Sequence, residues 1–357
     1  MPIIDRTAIA EDDDSDPPHS EIRLSDGRTL SWAEYGDPAG APLFFHHGIP
    51  SSRLAAAVLA DAALRNRVRL IAPERPGFGY SDPLPDRQIM DWPSDLEQLA
   101  DHLRLGTFSV TGISAGLSYT LACALHMPER LDRVALISGL GRIDDSDILE
   151  GMSYEWRLIY TLFLKSPRLA SLWMRGYGRA ARKRPDRVVA EQIKRMPPVD
   201  GGILGSDQIT ANRIADLRQA FRQGPAAAGI EALRHMEPWG FELQDVQFPV
   251  LLWQGKLDES HPIQMGRRIA AELPTCRPIF VDGVGSLGFV THADAIFGAL
   301  FPERAAPTRP SFVYAEAPSA ESAPASVDAD GLDGLPELLD ALQLDVLPDP
   351  IPGDSGR

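Results

Sequence analysis

The sequence predicts an α/β fold: a mostly parallel central sheet with a helical cap inserted between two of its strands. Two observations carry this. Short apolar runs alternate with helix-spaced segments of ten or more residues from about 42 to 139, the signature of βαβ units. The alternation then stops for about a hundred residues of helix-like sequence and resumes at Pro249. A helical block placed between two strands of one sheet lies over the carboxyl ends of the strands, where open α/β sheets bind ligands.

Each element has its own signal. Ile22 and Leu24, then Asp26-Gly27, then Leu30, Trp32 and Tyr35 alternate about a turn dipeptide and predict a β-hairpin. Pro42 to Gly48 is an apolar run closed by glycine, a buried strand. Leu54, Val58, Leu59 and Leu64 follow at helical spacing, before a strand over Val68–Pro73. A helix is expected over Asp95–Leu105 with Leu96, Leu99 and Leu103 inward, then a strand over Phe108–Gly112 and a helix through Leu125. Val134–Ser138 is a further strand, and Ile148, Met152, Trp156, Ile159, Tyr160 and Phe163 mark one side of a cap helix. Pro249–Trp253 and Arg277–Val281 complete the sheet, and a helix from His292 to about Phe301 closes the domain. The expected organisation is an acidic arm (1–21), a core (22–139 and 241–301), a cap (140–240) and an acidic Pro/Ala-rich disordered tail (302–357). Leu332, Leu335, Leu338, Leu339 and Leu342 give that tail one short amphipathic stretch.

The 357 residues carry a net charge of -15, and most of it sits at the ends. Residues 1–21 hold seven acids against Arg6, and residues 303–357 hold eleven acids against three arginines, so the body between them is close to neutral. Acidic ends repel phosphate, which excludes nucleic acid as a partner of the whole chain. Cys123 and Cys276 are too few and too far apart for a disulfide framework or a cysteine zinc site, and both are expected to be buried thiols. No run of about 18 apolar residues is present, and the N-terminus lacks a basic segment followed by an apolar one. A cytoplasmic protein that does not bind membranes is expected. No phosphate-cradling loop, dinucleotide fingerprint or metal-ligand cluster is found, so no cofactor and no metal are expected.

Gly112-Ile113-Ser114-Ala115-Gly116 follows a predicted strand and opens a predicted helix. A nucleophilic hydroxyl must stand clear of the sheet on a tight turn, and glycines on either side remove side chains that would collide there. The helix N-terminus then places backbone N–H groups beside a developing oxyanion. With His47-Gly48-Ile49 after one strand and Glu74-Arg75-Pro76-Gly77-Phe78-Gly79-Tyr80-Ser81 after the next, the chain from about 22 to 301 resembles the α/β-hydrolase superfamily. The resemblance implies that Ser114 is the nucleophile and that the N–H groups of Ile49 and Ala115 form the oxyanion hole. Glu74 stands where the family has Asp, and is expected to hold Arg75 in a structural turn. Gly255-Lys256-Leu257-Asp258 resembles the family's strand-ending acid element, which makes Asp258 the residue that orients an imidazole.

The base is where the pattern breaks. The loop in which the family carries its histidine reads Gly283-Val284-Gly285-Ser286-Leu287-Gly288, with Ser286 at the histidine position. A neutral serine cannot take the Ser114 proton at pH 7, so hydrolysis would lack its base. On this reading, activity on activated aryl esters is weak or absent and Ser286→His raises it at least about a hundredfold. His292, six residues on, is a substitute base or a helix-start packing residue; His261, between Asp258 and Pro262, is expected at the surface; His46 and His47 are expected to be structural. Three readings stay open: an esterase, lactonase or peptidase acting on a small, largely apolar acyl compound; a non-hydrolytic biosynthetic enzyme performing cyclisation, elimination or addition; and a catalytically silent binding protein. Replacement of a base by engineering would leave the same pattern.

One stretch of the cap is strongly basic, with ten bases against Asp186 and Glu191 between Lys165 and Arg195. A solvated helix face accounts for such a run. So does an electrostatic dock for an anionic substrate, an acidic carrier protein or the chain's own acidic tail.

Overall fold

Eight strands form one sheet in the computed structural model, which describes residues 18–143 and 146–303. They are β1 Ser20–Arg23, β2 Thr29–Gly36, β3 Ala41–His46, β4 Val68–Pro73, β5 Phe108–Ser114, β6 Leu131–Gly139, β7 Val250–Gly255 and β8 Cys276–Val281. Their order across the sheet is β1-β2-β4-β3-β5-β6-β7-β8. β1 and β2 pair antiparallel with each other, β2 pairs antiparallel with β4, and every later pairing is parallel. The β5 strand that carries Ser114 therefore runs through the middle of the sheet.

Burial on both faces explains why the strands read as unbroken apolar runs. Leu43 and Phe45 point into one core with Ile137, Trp253, Phe297 and Leu300. Phe44, between them, points into the opposite core with Val110, Leu136, Leu252, Leu96 and Leu121, as a period of two requires. The core helices are α1 Ala60–Arg65, α2 Trp92–His102 and α3 Gly116–His126. The cap helices are α4 Ser146–Glu150, α5 Tyr154–Lys165, α6 Pro167–Lys183, α7 Pro185–Arg195, α8 Pro198–Leu204, α9 Asp207–Ala220 and α10 Ala226–Met236. After β7 come α11 Ile263–Glu272, then α12 Gly288–Thr291 and α13 Ala293–Leu300. The cap has its own core, where Phe163, Met174, Leu217 and Phe221 surround Phe78 from the loop after β4.

The differences from expectation are local. The sheet begins at Ser20, inside the segment expected as an arm, because residues 20–23 pair with 29–32. Leu54 to Leu64 is a 3-10 segment over Arg53–Leu59 followed by a short α1, and Leu64 is exposed rather than inward. The α2 helix starts at Trp92 rather than Asp95, since Pro93 is tolerated in a first turn. Cys123 is buried and Cys276 only half-buried. Residues 1–17 of the acidic arm and the tail from Arg304 onward, including the leucine-rich stretch, lie outside the described residues. Among the described residues no helix is long and apolar enough to cross a membrane.

Candidate active site

Ser114 sits at the end of β5 with φ 49°, a left-handed conformation that an L residue adopts only where its surroundings impose it. Its neighbours show what imposes it. A Cβ at Gly112 would lie 2.4 Å from Gly116 O and from Thr120 Oγ1, and one at Gly116 would lie 2.2 Å from His46 O. Both glycines are therefore needed for the tight strand-to-helix turn read from the sequence. Gly48 brings the His47–Ile49 segment against Ser114, since a Cβ there would lie 3.3 Å from Ser114 Cβ. The N–H groups of Ile49 and Ala115 donate to no other group among the described residues.

The imidazole that meets Ser114 is His261. Its Nε2 lies 3.0 Å from Ser114 Oγ, within hydrogen-bond reach of the hydroxyl. This corrects the expectation of a surface histidine: His261 is 7% exposed. Its Nδ1 lies 3.5 Å from Asp258 Oδ2, and neither of these buried atoms has a hydrogen-bond partner among the described residues. The other carboxylate oxygen shapes the loop. Asp258 Oδ1 accepts the backbone N–H of Ser260 at 3.0 Å and of His261 at 2.8 Å. From β7, the buried Gln254 amide donates to the carbonyls of His261 and Pro262. Leu257 N–H donates to Val284 O at 2.8 Å, tying the loop to its neighbour after β8. One short loop thus carries both the acid and the imidazole.

The two residues first considered for the base have other engagements. Ser286 donates its Oγ–H to Asp200 Oδ2 at 3.0 Å, and the same carboxylate accepts the N–H of Ser286 at 2.9 Å and of Leu287 at 2.8 Å. The histidine position of the β8–α12 loop is therefore held by a carboxylate from cap helix α8. Burial raises the Asp200 pKa, and the Ser286 and Leu287 hydrogen bonds only partly oppose it. His292 is a packing residue: its Nδ1 lies 2.9 Å from Thr291 Oγ1 and 3.1 Å from Gly288 O, and its ring leans on Trp253.

His46 and His47 are buried among fixed partners, as expected. His46 lies between Thr120 Oγ1 at 2.8 Å and the Trp92 indole N–H at 3.1 Å, and burial holds its pKa down to about 3. Glu74 is structural but holds a different arginine from the one expected. It pairs with Arg53 at 2.7 Å and accepts Ser31 Oγ–H at 2.6 Å, both out of solvent. Arg75 pairs instead with Glu231 of cap helix α10.

The cap is fastened to the loops around Ser114 by three buried carboxylates. Asp200 holds the β8–α12 loop. Asp216 of α9 accepts from Ser51 Oγ at 2.9 Å and from Ser52 N and Oγ at 2.7 and 2.8 Å. Glu231 binds Arg75 and, at 3.3 Å, Arg87. His235 of α10 adds a fourth link, donating from Nε2 to Ala115 O at 2.8 Å. Sequence reasoning missed these residues because each pairing joins positions more than 80 residues apart.

A family profile described as alpha/beta hydrolase fold matches residues 41–293. The chain belongs to the α/β-hydrolase fold family. Among curated proteins it is 29% identical over 125 residues to a proline iminopeptidase of Arabidopsis thaliana, covering 32% of this chain and 31% of that one. It is 33% identical over 128 residues to the dihydrolipoyllysine-residue acetyltransferase component of the acetoin cleaving system of Pseudomonas putida, covering 35% and 34%. The chain thus spans about a third of the length of these relatives. Solved structures similar over most of this chain include a thermophilic esterase from Thermogutta terrifontis, with TM-score 0.60, 20% identity and coverage of 81% of this chain and 100% of that one. A hydrolase from Pseudomonas aeruginosa PA01 gives TM-score 0.58 at 19% identity, with 80% and 97% covered. At that identity the likeness is one of fold.

Proposed function

We propose that this chain is a serine hydrolase of small, largely apolar acyl compounds, esters or lactones, whose base is His261 on the loop that also carries the acid. The observation that carries the reading is the 3.0 Å separation of Ser114 Oγ and His261 Nε2. The hydrolases and the peptidase among its relatives support the reaction class and leave the substrate open. A base in place also removes the reason for the non-hydrolytic and silent readings.

The chemistry follows from the geometry. Ser114 Oγ attacks the acyl carbon as its proton passes to His261 Nε2, and the carbonyl electrons move onto oxygen. The N–H groups of Ile49 and Ala115 receive that oxyanion, and Asp258 Oδ2 faces the Nδ1–H of the imidazolium. Collapse expels the leaving group, which takes the proton from Nε2 and leaves acyl-Ser114. Water then gives a proton to Nε2 and attacks the acyl carbon. Breaking the bond to Oγ releases the acid, and Ser114 recovers its proton.

The basic cap extends this proposal. Arg168, Arg175, Arg179, Arg182, Lys183, Arg184 and Arg187 are exposed on and between α6 and α7, beside exposed Leu169 and Leu172. Such a surface suits an acidic partner, of the carrier-protein class, that delivers an acyl group. Its binding should weaken steeply as salt is raised from 0.05 to 0.5 M.

The test of the hydrolytic reading is a fluorophosphonate probe with a short p-nitrophenyl ester series. Wild type should be labelled at Ser114 and should turn over the esters, and Ser114→Ala should lose both. A folded wild type that is neither labelled nor active would contradict the proposal.

A further inference from the structure

We infer that the cap sets the oxyanion hole: Glu231 of α10 holds Arg75, and Arg75 holds the peptide whose N–H is the Ile49 donor. The inference rests on the hydrolytic reading of Ser114 and adds two positioning residues to it.

The chain of contacts is continuous and buried. Glu231 and Arg75 are both fully out of solvent. The carboxylate grips the guanidinium through two bonds, one to Nε and one to Nη2 at 3.0 Å. Burial alone would raise the Glu231 pKa, but Arg75 and Arg87 outweigh it and hold it at about 2. The rest of the Arg75 fork points at the oxyanion segment. Nη1 donates to His47 O at 2.7 Å and Nη2 donates to Gly48 O at 3.2 Å. A second donor reaches the same carbonyl, His47 Nδ1–H at 2.9 Å. The other ring nitrogen, Nε2, accepts the Arg75 backbone N–H at 3.5 Å, which fixes the tautomer. Burial and the Arg75 charge keep this imidazole neutral by lowering its pKa well below the usual value.

Gly48 O and Ile49 N belong to one trans peptide. A planar trans unit points its C=O and N–H in opposite directions, so fixing the carbonyl fixes the N–H. Two donors on the carbonyl, one of them charged, also polarise the amide and strengthen the N–H as a donor. The oxyanion donor is thus aimed by groups behind it. The last of these belongs to the cap, so a cap that lifts from the core takes Glu231 away and leaves Arg75 to reorient. Full oxyanion stabilisation then requires a seated cap.

A tetrahedral mimic separates this role from simple stability. An arylboronic acid that adds to Ser114 uses the oxyanion hole, whereas the product carboxylic acid binds without forming the adduct. Glu231→Gln should weaken boronate binding and lower kcat by about 10- to 100-fold, a fraction of the effect of deleting an oxyanion donor. KM and product affinity should change less than about twofold, since the ground state uses the donor little. The triple variant Arg75→Met/Arg87→Met/Glu231→Leu removes the three buried charges together and keeps an apolar filling, so it should fold and show the same loss. Asp200→Asn cuts a different cap fastening; it should lower the melting temperature while leaving the ratio of boronate to product affinity at the wild-type value. The inference is overturned if both Glu231 variants keep the wild-type ratio, or if Asp200→Asn shifts it equally. A wild type that binds no boronate and is not labelled at Ser114 overturns the hydrolytic reading itself, and this inference with it.

Discussion

The loop after β7 and the loop after β8 lie side by side, joined by the Leu257 N–H to Val284 O bond, and they hold different partners. In the family pattern the first carries the acid and the second the base. Here the first carries Asp258 and His261 three residues apart, with the imidazole 3.0 Å from the nucleophile. The second has become an attachment point, its Ser286 and Leu287 donors gathered by the cap carboxylate Asp200. The comparison teaches that the residue beside the Ser114 hydroxyl is decided by which loop the fold brings there, here the one after β7.

The sharpest way to break the comparison is at the acid. Asp258→Asn should lower kcat by about 10⁴-fold, the scale of the same change in a Ser-His-Asp triad, because the His261 cation loses its counter-charge. It should also loosen the turn, since the same carboxylate orders the N–H groups of Ser260 and His261. Ester kinetics with a melting curve separate the two effects, and an unchanged kcat would show that the acid lies elsewhere.

Next comes the loop after β8. Sequence alone suggests that Ser286→His restores a missing base and raises activity at least a hundredfold. In the structure Ser286 Oγ donates to Asp200 Oδ2 at 3.0 Å, so a new imidazole there would compete with that carboxylate. No gain in ester turnover is expected. A loss of stability of about 1–3 kcal/mol is expected as Asp200 is left short of donors. Equilibrium urea unfolding measures the second, and a large gain in turnover would return Ser286 to the base position.

A separate effect, on stability alone, is a pH dependence shared by both sides of the site. His46, His47 and His235 are buried with pKa values lowered, the first to about 3. The unfolded chain binds protons at these positions near pH 6.5 and the folded one does not. Stability is therefore present above that pH and lost as pH falls through the window, by roughly 1 kcal/mol per pH unit for each imidazole. Glu231 acts lower down: its stabilisation is present above the ordinary carboxylate value and is lost as pH falls toward about 2. Unfolding free energies between pH 7 and 4 should fall, and a His46→Gln variant should fall less steeply. Equal slopes would show that His46 does not contribute.

How much of this was legible in the sequence follows the range of the interactions. The βαβ alternation, the elbow around Ser114 and the acid element are local patterns, and the structure has them where they were read. Gly112 and Gly116 could be read as sterically required because the turn that requires them is five residues long. The place of His261 beside Ser114 could not be read, since nothing local distinguishes a histidine that turns inward from one at the surface. The signal that could have found it was its place three residues after the acid on a loop that must face Ser114. Asp200, Asp216 and Glu231 look like ordinary acids on helical segments, and only the folded chain brings each to its donors.

The central claim is that His261 is the base, and pre-steady-state acylation tests it most directly. With an activated p-nitrophenyl ester, wild type and His292→Ala should both acylate Ser114 rapidly. His261→Ala should acylate about 10⁴- to 10⁶-fold more slowly with its melting temperature little changed, and added imidazole should recover part of the rate. Undiminished acylation in His261→Ala, with loss of the reaction in His292→Ala, would contradict the account.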